Sequence, residues 1–398
     1  MNKILKNIIL LGFVIFIVAS IWYLESQKPR QISSQPQDLA LPSVAVNGTS
    51  DAISTASTTT PTTVSKANRA QIQKDKAKKY ERAKELVGIK GYINSGPFKL
   101  ADLIGKKVIL IDFWTYSCIN CARAAPYVNA WYGKYKDKGL VIVGVHTPEF
   151  DFEKVYDNVA KAVKEKYGIR YPVVLDSDYG TWNAYGNRFW PREYLIDIDG
   201  YIVHDHIGEG GYDETERAIQ SALKERDVAL GLSETIDMSI SSPQGLISMD
   251  ASKVGSPETY FGSARNDYLA NGTPGIPGSQ TLTIPTDIQP NKLYLGGTWN
   301  FSPEYAENSS DTATITYAYN TKNVYFVASS EKGVKIKIFR DGKPLVGSEA
   351  GSDVSTDGTV FIKDNRLYDI VKGADYGKHT LEMQVEGAGL NAFTFTFG

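Results

Sequence analysis

The segment Val108-Ile109-Leu110-Ile111-Asp112-Phe113-Trp114-Thr115-Tyr116-Ser117-Cys118-Ile119-Asn120-Cys121 places a continuous apolar run directly before a pair of cysteines. The run 108–111 has the character of a strand buried on both faces, and the residues from Cys121 to 138 have that of a helix. Cys118 then stands at a helix N-terminus, where unpaired N–H groups and the macrodipole favour a thiolate over a thiol. The thiolate is the nucleophile of disulfide chemistry. Cys121, one turn further on, is placed to attack a mixed disulfide formed at Cys118 and release the product. The chain of 398 residues holds no other cysteine. A disulfide scaffold needs several spread pairs, so both sulfurs are committed to this one site.

Asp112 lies inside the buried run. A carboxyl group there is unfavourable unless it has a role. Desolvation raises its pKa, which fits it to take the proton of Cys121 during resolution; a hydrogen-bonded carboxylate at a wet strand end is the plain alternative. Pro126 falls inside the expected helix and predicts a kink. Pro191, just before an expected strand at 193–197, is a candidate cis-proline that brings its loop against the cysteines. The chain at Trp190 would then pair with an extended substrate backbone.

Working outward, runs at 140–145 and 173–175 read as further buried strands. Runs at 193–197 and 201–206 flank the turn signal Asp199-Gly200. Stretches 152–167 and 213–226 read as helices, the last with the capping-box spacing of Asp213 and Glu216. This alternation predicts an α/β fold with a mixed sheet over residues 76–229, preceded by a helix at 68–86. Residues 230–257 read as a connector. From 258 to 398 short alternating runs separated by turn signals predict an all-β sandwich, jelly-roll-like.

Residues 8–24 carry no charge and end in Trp22-Tyr23. They read as a short membrane anchor or a cleaved signal peptide within residues 1–25, either of which exports the rest of the chain. Residues 26–75, rich in Ser, Thr, Gln and Pro, read as a flexible spacer. The formal net charge of −2 gives no reason to expect nucleic acid.

Asp112-Phe113-Trp114, Cys118-x-x-Cys121, Pro126 and Pro191 together resemble the thioredoxin superfamily. Residues 113–121, with His146-Thr147-Pro148-Glu149-Phe150 and residues 208–215, resemble more narrowly the soluble portion of DipZ-type proteins and the TlpA-like anchored reductases. The β-domain resembles the carbohydrate-module-like domain of the DipZ family. The resemblance implies a thioredoxin-like fold, Cys118 as attacking thiol, Cys121 as resolving thiol, Asp112 as buried acid and Pro191 as cis-proline. It further implies Glu149 as a second active-site acid, with an exposed loop charge as the alternative. Tyr116 and Trp190 are then expected beside the substrate, and Trp114 and Pro126 as structural neighbours of the site. Disulfide-bearing extracytoplasmic proteins are the implied substrates, and a CcdA-like membrane protein the implied electron donor. No cofactor beyond the dithiol itself and no metal is expected. The family departures are Ile119-Asn120 between the cysteines, Ser117 before them, and Gly144 where thioredoxin carries a strand lysine.

Other functions read less well from the same residues. Thr115-x-x-Cys118 echoes a peroxidase motif, but the usual upstream proline is missing. Zinc would need more ligands than two cysteines and four histidines readily give. His204 and His206 share one strand face and read as packed or exposed. Trp299, Tyr305 and Tyr325, if exposed, would stack on sugar rings and make the β-domain a surface glycan- or protein-binding module with redox activity secondary.

Overall fold

The computed structural model describes residues 66–398. The expected anchor or signal peptide, and the spacer up to residue 65, lie outside the described residues. Among the described residues no helix is long and apolar enough to cross a membrane.

The chain enters as helix α1 (Lys66–Lys79). It begins inside the stretch expected as spacer and stops well short of residue 86. Its hold is electrostatic, which an apolar-periodicity reading misses. Arg69 and Gln73 donate to Asp199 at 2.7 Å each, and Lys76 reaches Asp197 at 2.5 Å, Asp199 and Glu225. These three carboxylates converge closely enough to suggest a cation site, and the Lys76 ammonium already sits among them. Beyond Lys79 the chain is extended, bridging Arg82 to Tyr201.

A six-stranded sheet follows, built from β1 (Tyr92–Ile93), β2 (Val108–Trp114), β3 (Leu140–His146), β4 (Val173–Leu175), β5 (Arg192–Ile196) and β6 (Ile202–Ile207). Its order is β1-β4-β3-β2-β5-β6. The pairs β2–β3 and β3–β4 are parallel and the others antiparallel. Every residue of β2 is buried, as its unbroken apolar start requires. One face packs Val108, Leu110 and Trp114 against α2 (Ile119–Tyr135) and the C-terminal helix of this region. The other packs Ile109, Ile111 and Phe113 against Trp182 of a short helix described below.

The expected helix 152–167 is broken into a 3₁₀ turn Asp151–Lys154, helix α3 (Tyr156–Lys161) and a π-helical turn Ala162–Lys166. The break is at Val155, whose backbone is extended, and the Glu153 side chain turns back to accept from the Glu149 and Phe150 N–H groups. Helix α4 (Gly180–Ala184) had no sequence signal. Helix α5 (Tyr212–Leu230) begins at Gly211, in the left-handed region, so the capping box of Asp213 and Glu216 is not formed. Glu216 is instead buried and accepts from Lys134, Tyr135 and Ser241. The connector is therefore no free tether: Ile236 joins the sheet core, and Tyr135 donates to the Asp237 carbonyl.

The C-terminal region is all-β, a ten-stranded hydrogen-bonded system. The separate runs expected at 312–319 and 324–328 are one strand, Thr312–Ser329, paired along its length with Arg366–Glu386. Asn320 to Asn323 look like a turn but only shift the register. On its other edge Thr312–Ser329 pairs first with Leu293–Phe301 and then with Asn391–Phe397. Trp299 is 0 % exposed and donates to the Gly296 carbonyl; Tyr325 is buried and Tyr305 packs on Phe393. The exposed sugar-stacking rings expected here are core and interface rings, because alternation alone does not tell which face of a strand is outward.

The two folded regions share a cluster in which Ile119 and Phe150 meet Tyr325, Val327, Leu367 and Phe393. Beside it the Asp151 N–H donates to Glu304.

Candidate active site

Strand β2 delivers the chain to the site, and α2 carries it away. Cys118 is the N-cap of α2, half-buried, with extended backbone. Cys121, one turn in, is 3 % exposed. Both are free thiols. Burial, first, and then the neighbouring Cys118 push the Cys121 thiol well above its ordinary range, and the charge of Asp112 adds to this. Cys121 therefore needs a proton acceptor before it can attack. Pro126 lies inside α2, which runs on past it; lacking an N–H, it leaves the Ala122 carbonyl without that helical bond.

Asp112 is 4 % exposed on the sheet face that packs against α2, and among the described residues its Oδ1 has no hydrogen-bond partner. Desolvation raises its pKa to about 7. Its register partner on β3 is Gly144, the position at which thioredoxin carries a strand lysine. The space a side chain would take at Gly144 is filled by Trp114, Tyr171 and Val173.

The Trp190–Pro191 peptide is cis. The Trp190 carbonyl lies 4.0 Å from Cys118 Sγ, so this loop does meet the cysteines. The Trp190 ring turns inward: it packs on Trp182 at 4.3 Å and donates to the Thr147 carbonyl. Tyr116, expected at the substrate, is 2 % exposed, stacked on His146 and tilted against Phe152. Trp114 meets His146 and Tyr167 edge-on. Burial holds His146 neutral, with a pKa near 3.

Glu149 does not face the dithiol loop with a hydrogen bond. Its carboxylate accepts from Tyr260 and Arg265 of the all-β region at 2.8 Å each. The acid bound to the cysteine loop is Glu153, fully buried, which accepts from the Ser117 hydroxyl at 2.7 Å and N–H at 3.2 Å. Its pKa is raised by desolvation against the pull of those donors. The helix break at Val155, invisible in the periodicity, turns Glu153 inward.

A second acid was also missed. Glu193 on β5 is the direct register partner of Asp112 and is 3 % exposed. Burial, then the charge of Asp112, lift it to about 8.

A cleft of about 1210 Å³ opens alongside, between the first turn of α2 and the all-β region. Ile119, Ala122, Tyr325, Arg366 and Leu367 line it. It exceeds the roughly 300–1,000 Å³ of an ordinary small-molecule pocket.

Residues 75–205 match the AhpC/TSA family, and residues 256–398 match the thioredoxin like C-terminal domain family. The thiol-disulfide oxidoreductase YkuV of Bacillus subtilis is 33% identical over 143 residues, 36% of this chain and 95% of that protein. The chain belongs to the thioredoxin-like thiol–disulfide oxidoreductases. Protein DipZ of Mycobacterium tuberculosis is similar to this oxidoreductase through both folded regions, 37% identical over 318 residues. That match takes in 79% of this chain and 43% of DipZ, so the oxidoreductase spans less than half the length of that relative. The thiol-disulfide oxidoreductase ResA of Bacillus thuringiensis is 35% identical over 126 residues, 32% of this chain and 66% of ResA.

Proposed function

We propose that this oxidoreductase reduces disulfides of extracytoplasmic proteins while tethered to a membrane by residues 8–24. The observation that carries the catalytic part is the unequal pair: Cys118 half-open at the start of α2, Cys121 buried behind it. Cys118 attacks a substrate sulfur as thiolate, facing the positive end of α2, and expels the partner thiolate. Cys121 then passes its proton to Asp112, attacks Cys118 Sγ and releases the second substrate thiol. Two electrons pass from the dithiol to the substrate disulfide, leaving a Cys118–Cys121 disulfide. A CcdA-like membrane donor would restore the dithiol.

The substrate chain pairs at the Trp190–Pro191 loop and extends into the cleft over Ile119 and Ala122. The all-β region, read as a sandwich, forms the far wall of that cleft. Its position supports a role in presenting protein substrates. The burial of Trp299 and Tyr325 removes the reason for reading it as a glycan module.

The test is insulin reduction by the purified full chain in detergent. Activity that vanishes in Cys118→Ser supports the reading. Persistent activity in that variant, or rapid peroxide turnover without disulfide reduction, overturns it. An equilibrium potential near thioredoxin's roughly −270 mV fits a reductase, and one near about −120 mV an oxidant.

A further inference from the structure

Asp112, Glu193 and His206 form a row across three adjacent strands. Asp112 on β2 pairs in register with Glu193 on β5, and Glu193 pairs with His206 on β6. Directly opposed residues of antiparallel strands point to the same face, their Cβ atoms about 5 Å apart. That face is the one covered by α2 and α5, where Cys121 lies. Two carboxyl groups at this spacing, both nearly inaccessible, do not both ionise. Among the described residues Asp112 Oδ1, Glu193 Oε2 and His206 Nε2 have no hydrogen-bond partner. An unpartnered buried polar atom is unfavourable, and here three lie along one line.

The line reaches the surface through α5. The Thr215 hydroxyl, fully buried on the first turn of α5, supports the Glu193 carboxylate and lies 3.1 Å from His204 Nε2. His204 is half-exposed and parallel to His206, ring centroids 6.5 Å apart. Gly211 closes the end: its backbone is left-handed, and a side chain there would strike the His206 ring.

We propose that Asp112 and Glu193 share a single proton as one buried acid pair, and that Glu193 is the positioning residue that vents the Cys121 proton through Thr215 to His204 and solvent. This rests on the disulfide exchange proposed above. When Cys121 attacks Cys118 Sγ, its S–H bond breaks and the Cys118–Cys121 bond forms. The released substrate thiolate takes a proton from water. The Cys121 proton passes to Asp112 and is shared with Glu193. His204, whose pKa partial burial lowers, takes a proton from the Thr215 hydroxyl as that hydroxyl receives one from Glu193. The pair returns to one shared proton. The titratable groups facing the pair are Cys121 from α2, Tyr171 from the segment before β4, Tyr212 from α5 and His206 from β6. None of these is a fixed cation, so a shared proton is what lowers the charge of the pair.

The experiment equilibrates the full chain with glutathione between pH 5 and 9 and reads the pH at which the slope of the Cys118–Cys121 potential changes. Stopped-flow measurement of mixed-disulfide resolution accompanies it. Glu193→Gln removes the like charge, so Asp112 ionises about one pH unit lower and the break moves with it. Resolution at pH 7 slows about tenfold, while initial attack at Cys118 is unchanged. Glu193→Asp restores both in part. Thr215→Val keeps the acids and closes the exit, so resolution slows and the break stays. A break at the wild-type pH in Glu193→Gln, or wild-type resolution in Thr215→Val, overturns the proposal. A wild-type chain that forms no Cys118–Cys121 disulfide would instead overturn the exchange reading itself.

Discussion

The two folded regions bury polar atoms in different ways. In the all-β region Trp299 bonds Gly296 and Tyr317 bonds Thr259, and the buried polar atoms left unpartnered among the described residues, the Tyr319 hydroxyl included, belong to no carboxyl group. In the thioredoxin-like region Asp112 and Glu193 are buried with oxygens left unpartnered among the described residues, beside a thiol that burial makes hard to ionise. The first arrangement makes a stable fold. The second accepts a less stable core and in return holds proton acceptors where a thiol must lose its proton. Stability and chemistry are thus separated along one chain.

That contrast can be broken most directly at Cys118. Cys118→Ser should abolish insulin reduction while leaving the thermal transition unchanged within about 0.5 kcal/mol, since the site is half-open; a large loss of stability would mean that the thiol is structural. Next is Trp299→Ala, expected to destabilise by about 3–5 kcal/mol in chemical unfolding. The glutathione equilibrium of the folded variant should be unchanged; a shifted potential would show that the regions are not separable. Asp112→Asn should slow resolution by at least about tenfold and flatten the pH dependence of stability. The folded-state pKa of Asp112 is raised to about 7 from 3.8. The stability linked to this group is therefore complete below pH 4 and is lost as pH rises to 7 and beyond. The asparagine variant should be the more stable protein at pH 8 and lose that advantage at pH 4, as urea unfolding at the two values will read. The smallest effect is expected at Glu149→Gln, which weakens the Arg265 ion pair by roughly 1 kcal/mol and should change insulin reduction less than the stability of the regional contact. A loss comparable with Asp112→Asn would place Glu149 among the catalytic acids.

Much of the site was legible because its signals are local. A buried acid in an apolar run, two cysteines three apart at a strand–helix junction, and a proline before a strand each declare themselves within a few residues. Glu193 did not, because its meaning depends on the register of β5 on β2, which no local window contains. Glu153 was hidden by a helix break that hydrophobic periodicity does not report. Glu149, picked by resemblance, lies in the right loop but turns to the all-β region because Arg265 and Tyr260 offer it better partners. The merging of 312–319 with 324–328 was missed for a related reason: Asn320 to Asn323 have turn chemistry, and long-range pairing with Arg366–Glu386 overrides it.

Ile119 belongs at once to the dipeptide between the cysteines and to the cluster that joins the regions. A residue between two cysteines shapes the surroundings of both sulfurs, and so acts as a dial for their reactivity. Here the dial is geared to a joint. Any residue put at 119 to retune the sulfurs must also fit against Phe150 and Leu367, so a search for variants of altered potential should find its freedom at Asn120 and its casualties at 119.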